Sequence, residues 1–128
     1  IKNFYVDSSN EISIQKNILN LEKNFQIIIE DASHSYKDQI ISLFMLFPLI
    51  NSGGFFITEE LDFPDIRDDM NLNKEKPTLR DILLNIKNGN DFNNSLITSE
   101  HKEYFLKNFD NISILKGNFN EIAIISKK

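Results

Sequence analysis

Apolar and polar positions along the chain alternate between a strand-like and a helix-like period. Phe4-Tyr5-Val6 is a short apolar run closed by Asp7, read as a first strand. Ser8 stands three residues before Glu11, the spacing of a capping box, which predicts a helix to about Leu21. Phe25–Ile29 is an unbroken apolar, β-branched run that predicts a strand buried on both faces. Ser35-x-x-Asp38 is a second cap, after which Tyr36, Ile40, Leu43, Phe44 and Phe47 recur at helical spacing. Pro48 and Asn51-Ser52-Gly53-Gly54 are expected to close that helix before a strand at Phe55–Thr58. Asp62 to Lys76 is polar and reads as a long loop. Thr78-x-x-Asp81 opens a helix whose Leu79, Ile82, Leu83 and Ile86 share a face. Lys87–Ser95 is a second loop, and Ser99–Phe109 a further helix. Ile112–Leu115 and Glu121–Ser126 flank Lys116-Gly117-Asn118 so closely that they must form an antiparallel hairpin.

Strand–helix–strand alternation implies an α/β fold: a Rossmann-like mixed sheet, mostly parallel, ending in a C-terminal antiparallel hairpin. The 128 residues suit one domain, 1–128, and contain no internal repeat. A formal charge of −5 argues against a protein built to grip nucleic acid. The longest apolar run, Ile40–Ile50, is interrupted by Ser42 and Pro48 and is too short to span a bilayer. There is no cysteine, hence no disulfide framework and no thiolate metal site, which fits a cytoplasmic protein. No signal peptide is visible, and the chain begins with Ile rather than Met, as a processed chain or a piece of a longer one would.

Three successive strands end in acid: Asp7, Glu30-Asp31 and Glu59-Glu60. In a parallel sheet these ends share the edge where ligands bind. His34 follows Asp31 by three residues. Carboxylates held together repel unless they share protons, spread into water or bind a cation, and oxygen ligands without Cys suit Mg²⁺, Mn²⁺ or Ca²⁺. The competing explanation is that each acid caps the helix that follows it. Asp31, His34, Glu59 and Glu60 together favour a metal-and-base site, whereas Asp7 alone reads as a cap or as a ligand for a hydroxyl. His101 reads as a surface residue. Phe44, Phe47, Phe55 and Phe56 read as core, and the acidic run Asp62, Asp65, Asp68, Asp69 as a solvated loop or a lid.

The segment Ile27-Ile28-Ile29-Glu30-Asp31-Ala32-Ser33-His34, continued by Asp38-Gln39, resembles the Ile-Ile-Asp-Asp-Gly-Ser-His…Asp-Gln segment of class I S-adenosylmethionine-dependent methyltransferases. Leu46-Phe47-Pro48, Gly53-Gly54 and Glu59-Glu60-Leu61 are similar to a second block of the metal-dependent branch that methylates sugar hydroxyls. The departures are Glu30 for Asp, Ala32 for Gly and Glu60 for Asp. The resemblance implies that Asp31, Glu59 and Glu60 hold Mg²⁺ or Mn²⁺ and that His34 is the base. It places Asp7 and Ser8 near the adenine end of S-adenosylmethionine, and makes the acceptor a sugar or another small molecule. It also makes the chain a C-terminal portion of the domain. The family's first two strands and Gly-rich cofactor loop are missing, since Gly53, Gly54, Gly89 and Gly117 cannot form Gly-x-Gly-x-x-Gly. By itself such a portion is expected to be inactive, and its exposed sheet edge invites pairing with another copy.

Two other readings stand beside this one. A phosphoacceptor receiver domain would use Asp31, Thr58 and Lys116, but the chain has no acidic pair after its first strand and Gly rather than Pro after Lys116. The other is a non-catalytic α/β fragment that assembles with a partner.

Overall fold

The computed structural model describes residues 5–21 and 23–128. In chain order the elements are α1 (Glu11–Asn17), β1 (Phe25–Glu30), α2 (Tyr36–Leu46), β2 (Ile50–Thr58), α3 (Phe63–Ile66), α4 (Leu79–Lys87), α5 (Ser99–Asn108), β3 (Phe109–Lys116) and β4 (Glu121–Lys127). The four strands form one mixed sheet in the order β1-β2-β4-β3. β1 and β2 are parallel, with Ile27 opposite Phe55 and Glu30 opposite Thr58. β4 runs antiparallel to both β2 and β3. The α/β class, the parallel pair and the closing hairpin are as the pattern predicts.

α2 is the pillar of the core. Ser35 caps it, its hydroxyl accepting from the Asp38 amide, and only Lys37 of the helix escapes burial. Helices α1, α4 and α5 pack around it, and β1 and β2 lie beneath. Phe105 of α5 wedges between Phe44 and Phe47, with ring centroids 5.1 and 4.7 Å away. Tilted pairs of this kind contribute about 0.5–1.5 kcal/mol each beyond the area they bury. α4 carries the full capping box of Thr78 and Asp81 and buries Leu79, Ile82, Leu83 and Ile86. Lys127 fixes the register of β4: its ammonium donates to the carbonyls of Pro48 and Ile50 and to the Tyr104 hydroxyl.

Four expectations are corrected. Tyr5 and Val6 are not in a strand, Tyr5 being 88% exposed; Phe4 lies outside the described residues. The cap of α1 is Asn10, not Ser8, because the Asn10 side chain reaches the amides of Ile12 and Ser13. Asn51 to Gly54 belong to β2 rather than to the end of α2. Gly54 is there for space, since a Cβ would stand 2.6 Å from the Gln26 carbonyl oxygen. Finally, β1 is buried on one face only. Ile27 and Ile29 are 52% and 59% exposed, and Phe55, expected in the core, is 39% exposed. Strand side chains alternate, and the face turned away from α2 has no covering layer among the described residues.

Candidate metal centre

Parallel pairing brings the carboxyl ends of β1 and β2 side by side, and the Glu59 amide donates to the Glu30 carbonyl at 3.1 Å. Two loops leave this edge. Asp31 and His34 lie on the first, Glu59 and Glu60 on the second. Asp31, His34 and Glu60 each present one ligand atom within 4.8 Å of the others. His34 Nε2 lies 3.5 Å from Asp31 Oδ1, and His34 Nδ1 lies 3.3 Å from Glu60 Oε2. The Nδ1 and Oε2 atoms are buried and have no hydrogen-bond partner. Asp31 is open to solvent, its side chain 61% exposed against 17% for His34 and 19% for Glu60.

The backbone is forced to make this arrangement. Among the described residues, non-glycine positive φ occurs at His34 (57°), Glu60 (47°) and Lys74 (53°). The left-handed conformation costs an L-residue roughly 1–2 kcal/mol. Two of the three such positions therefore fall in one cluster, as strain concentrated at a working site does.

The neighbours hold the loops. Asn120, in the turn between β3 and β4, donates to Glu60 Oε1 at 2.8 Å. Gln39 Nε2 donates to the carbonyls of Glu60 at 2.9 Å and Glu59 at 3.4 Å. The Ser33 hydroxyl donates to Asp38 Oδ2, tying the first loop to the start of α2, and the Ser8 hydroxyl, from the segment before α1, donates to the same oxygen. The Phe63 ring meets His34 edge-on at 5.8 Å. Glu30 is buried beneath; burial pushes its carboxyl above the ordinary range, opposed by hydrogen bonds from Thr58 Oγ1 and the Ala32 amide.

Helix capping does not explain the acids at this edge. Ser35 caps α2, and the N-cap of α3, Asp62, makes no side-chain cap bond. Asp7 does not cap α1 either: its carboxylate accepts from the Ser9 hydroxyl and amide, which hold it below the usual range. The structure thus unites Asp31, His34 and Glu60. The site group leaves out Glu59, while Ser8 lines an adjoining cavity of about 240 Å³ together with Ile14, Ile28 and Asp31. The acidic stretch after Leu61 is built in rather than loose. Asp62 accepts from the Glu121 amide, Asp65 from Thr78 and Lys76, and Asp69 from Arg67. His101 is partly buried in α5. Asn120 is a participant that the sequence reading passed over, and Gln39 one that it named in the motif without a role. Gln39 had a signal, a lone amide among the apolar positions of α2; Asn120 had none.

The two carboxylates, with no thiolate nearby, suit a hard divalent cation, and the imidazole stands beside them. The buried Glu60 Oε2, a carboxylate oxygen without a hydrogen-bond partner, is what a bound cation would satisfy. The 4.8 Å spread exceeds the roughly 3 Å between adjacent ligands of Mg²⁺, and the exposed Asp31 is the side chain free to close it. The receiver arrangement is not formed, because Thr58 is fully buried and its hydroxyl is bonded to Glu30.

No family model matches the sequence, and no curated protein is similar to it. Solved structures are. MycE methyltransferase from the mycinamycin biosynthetic pathway, in complex with Mg and SAH, superposes with a TM-score of 0.71 at 18% identity, over 97% of this chain and 31% of that one. The same enzyme with Mg, SAH and mycinamycin VI gives 0.69 at 18% identity over the same shares. A second crystal form with Mg and SAH gives 0.70 at 19%. The likeness establishes the fold: this chain has the architecture of a part of that methyltransferase and spans about a third of its length.

Proposed function

We propose that this chain is part of an S-adenosylmethionine-dependent O-methyltransferase that uses a divalent cation, Mg²⁺ or Mn²⁺, to methylate a hydroxyl of a sugar or another small molecule. The observation that carries it is the buried, unbonded pair of His34 Nδ1 and Glu60 Oε2, with Asp31 beside it at the ligand-binding edge of the sheet. Asp31 and Glu60 are the proposed cation ligands. Glu59 is kept as a third only through the motif resemblance and its place next to Glu60.

A bound divalent cation would polarise a coordinated hydroxyl and make it easier to deprotonate. His34 is the proposed base. A neutral imidazole donates from one nitrogen and accepts at the other. With Nδ1–H turned toward Glu60, Nε2 on the Asp31 side receives the hydroxyl proton. S-adenosylmethionine, with its adenine end beside Ser8, would supply an electrophilic methyl group to that oxygen. Holding the two reactants in line is the larger part of the rate gain.

The 240 Å³ cavity has apolar walls and a polar rim that includes Ser8 and Glu30, which suits the adenine end of the cofactor. Asp7, turned to Ser9, is assigned to the cofactor only by resemblance. A polar cavity of about 510 Å³ lined by Tyr36, Glu75, Lys76 and Asn94 opens at the start of α2 and suits a hydroxyl-rich acceptor. A cytoplasmic location goes with this proposal, the chain having no cysteine to oxidise. No helix among the described residues is long and apolar enough to cross a membrane.

The test is titration calorimetry of Mn²⁺ into the chain at neutral pH. Wild type is expected to bind one equivalent, and Asp31→Asn and Glu60→Gln to lose it. A wild-type chain that does not bind, or variants that bind as well, would overturn the proposal.

A further inference from the structure

Gln39 is fully buried at the close of the first turn of α2, yet it is neither apolar nor satisfied. Its Nε2 donates to two successive carbonyls, those of Glu59 and Glu60, where the chain turns out of β2. Its Oε1 is buried with no partner. A side chain chosen for stability alone would not leave a buried acceptor empty. The turn it grips contains Glu60 at φ 47°, a conformation that the local chain does not favour.

The residue before it completes the pattern. Asp38 Oδ2 accepts from Ser33, on the loop that carries Asp31 and His34. Adjacent residues of one rigid helix therefore hold the two loops that supply the cluster: Asp38 the first and Gln39 the second. The Glu60 carboxylate that meets His34 therefore depends on how this turn is held.

We infer that Gln39 is a positioning residue for the metal centre: its amide clamps the Glu59–Glu60 turn so that the Glu60 carboxylate faces His34 and Asp31. This rests on the metal-binding proposal above. Outer-shell partners of this kind set ligand orientation, and their loss typically lowers metal affinity about 10–100-fold.

Gln39→Met keeps the length and burial of the side chain but removes both donors and the unpaired acceptor. It is expected to weaken Mn²⁺ binding at least tenfold while the melting temperature stays within a few degrees of wild type, because loss of the empty acceptor offsets loss of the two bonds. Ile82→Val, a core trim on α4 distant from the turn, is the control: it is expected to lower the melting temperature and leave Mn²⁺ affinity unchanged. Mn²⁺ titration and thermal melts of the three proteins decide it. If wild type and Gln39→Met bind Mn²⁺ equally, Gln39 is structural and this inference falls while the metal centre stands. If affinity merely tracks melting temperature across both variants, it falls too. If wild type does not bind Mn²⁺, the metal centre itself is wrong.

Discussion

His34 Nδ1 and Glu60 Oε2 face each other across 3.3 Å, buried, and neither is hydrogen-bonded. They come from different loops, and both residues sit in left-handed backbone. Chain strain and an unpaired polar contact at the same point are costs that folding alone would remove.

That conflict predicts a trade between stability and binding at position 60. Glu60→Ala and Glu60→Gly both delete the carboxylate, so both should lose Mn²⁺. Only glycine is relaxed at φ 47°, so Glu60→Gly should be about 1 kcal/mol more stable than Glu60→Ala. Urea denaturation of the pair measures the difference, and equal stabilities would mean that the turn is not strained.

Glu30 and Glu121 should pull stability in opposite directions with pH. Burial raises the Glu30 carboxyl, so its contribution is complete below the unfolded value near 4.5 and is lost as pH rises through the higher folded value. Glu30→Gln should therefore be more stable than wild type at pH 7, with the gain vanishing near pH 4. Glu121 is held low chiefly by hydrogen bonding to Arg80, so its contribution is present above about 4.5 and lost as pH falls through the folded value. Arg80→Met should cost stability at pH 7 and progressively less as pH falls through the folded value. Chemical denaturation across this range follows both.

Gly54→Ala should destabilise by about 1–3 kcal/mol, the usual cost of forcing an extra carbon into a packed site. The new Cβ would meet the Gln26 carbonyl and the Ile50 side chain, at 2.6 and 2.7 Å. Gly53→Ala meets nothing within 4 Å, so its cost comes only from φ +74° and should be smaller. Denaturant midpoints of the two variants rank them.

The 128-residue chain should self-associate at high concentration. Ile27, Ile29 and Phe55 lie together on an open sheet face, and β1 is an edge strand. Ile27→Thr with Ile29→Thr should shift sedimentation toward monomer without changing the helix signal in circular dichroism.

The helices were legible because their caps and apolar stripes are local. Thr78 with Asp81, and Ser35 with Asp38, mark two N-termini to the residue. The edge shared by Asp31 and Glu60 was legible because parallel strands must end together. The burial of β1 was misread because Ile27, Ile28 and Ile29 look alike in sequence, while which of them is covered depends on layers elsewhere in space. Glu59 and Glu60 could not be told apart for a similar reason. Adjacent side chains at a turn diverge, and only the left-handed φ of Glu60 decides which one meets His34. Asn120 is sixty positions from its partner, and no local pattern announces such a contact.

The sheet order carries a consequence for synthesis. β4 is made after β3 yet inserts between β2 and β3. A nascent chain that has reached Lys116 has made β1, β2 and β3 but not the strand that joins β3 to β2, and that central position waits for Glu121–Lys127. Pairing that bridges such sequence separations is slow, and the half-formed β1–β2 ribbon stays sticky in the meantime. Completion of the sheet therefore waits for Glu121–Lys127, because the Lys127 ammonium reaches the carbonyls of Pro48 and Ile50 only once β4 is in place.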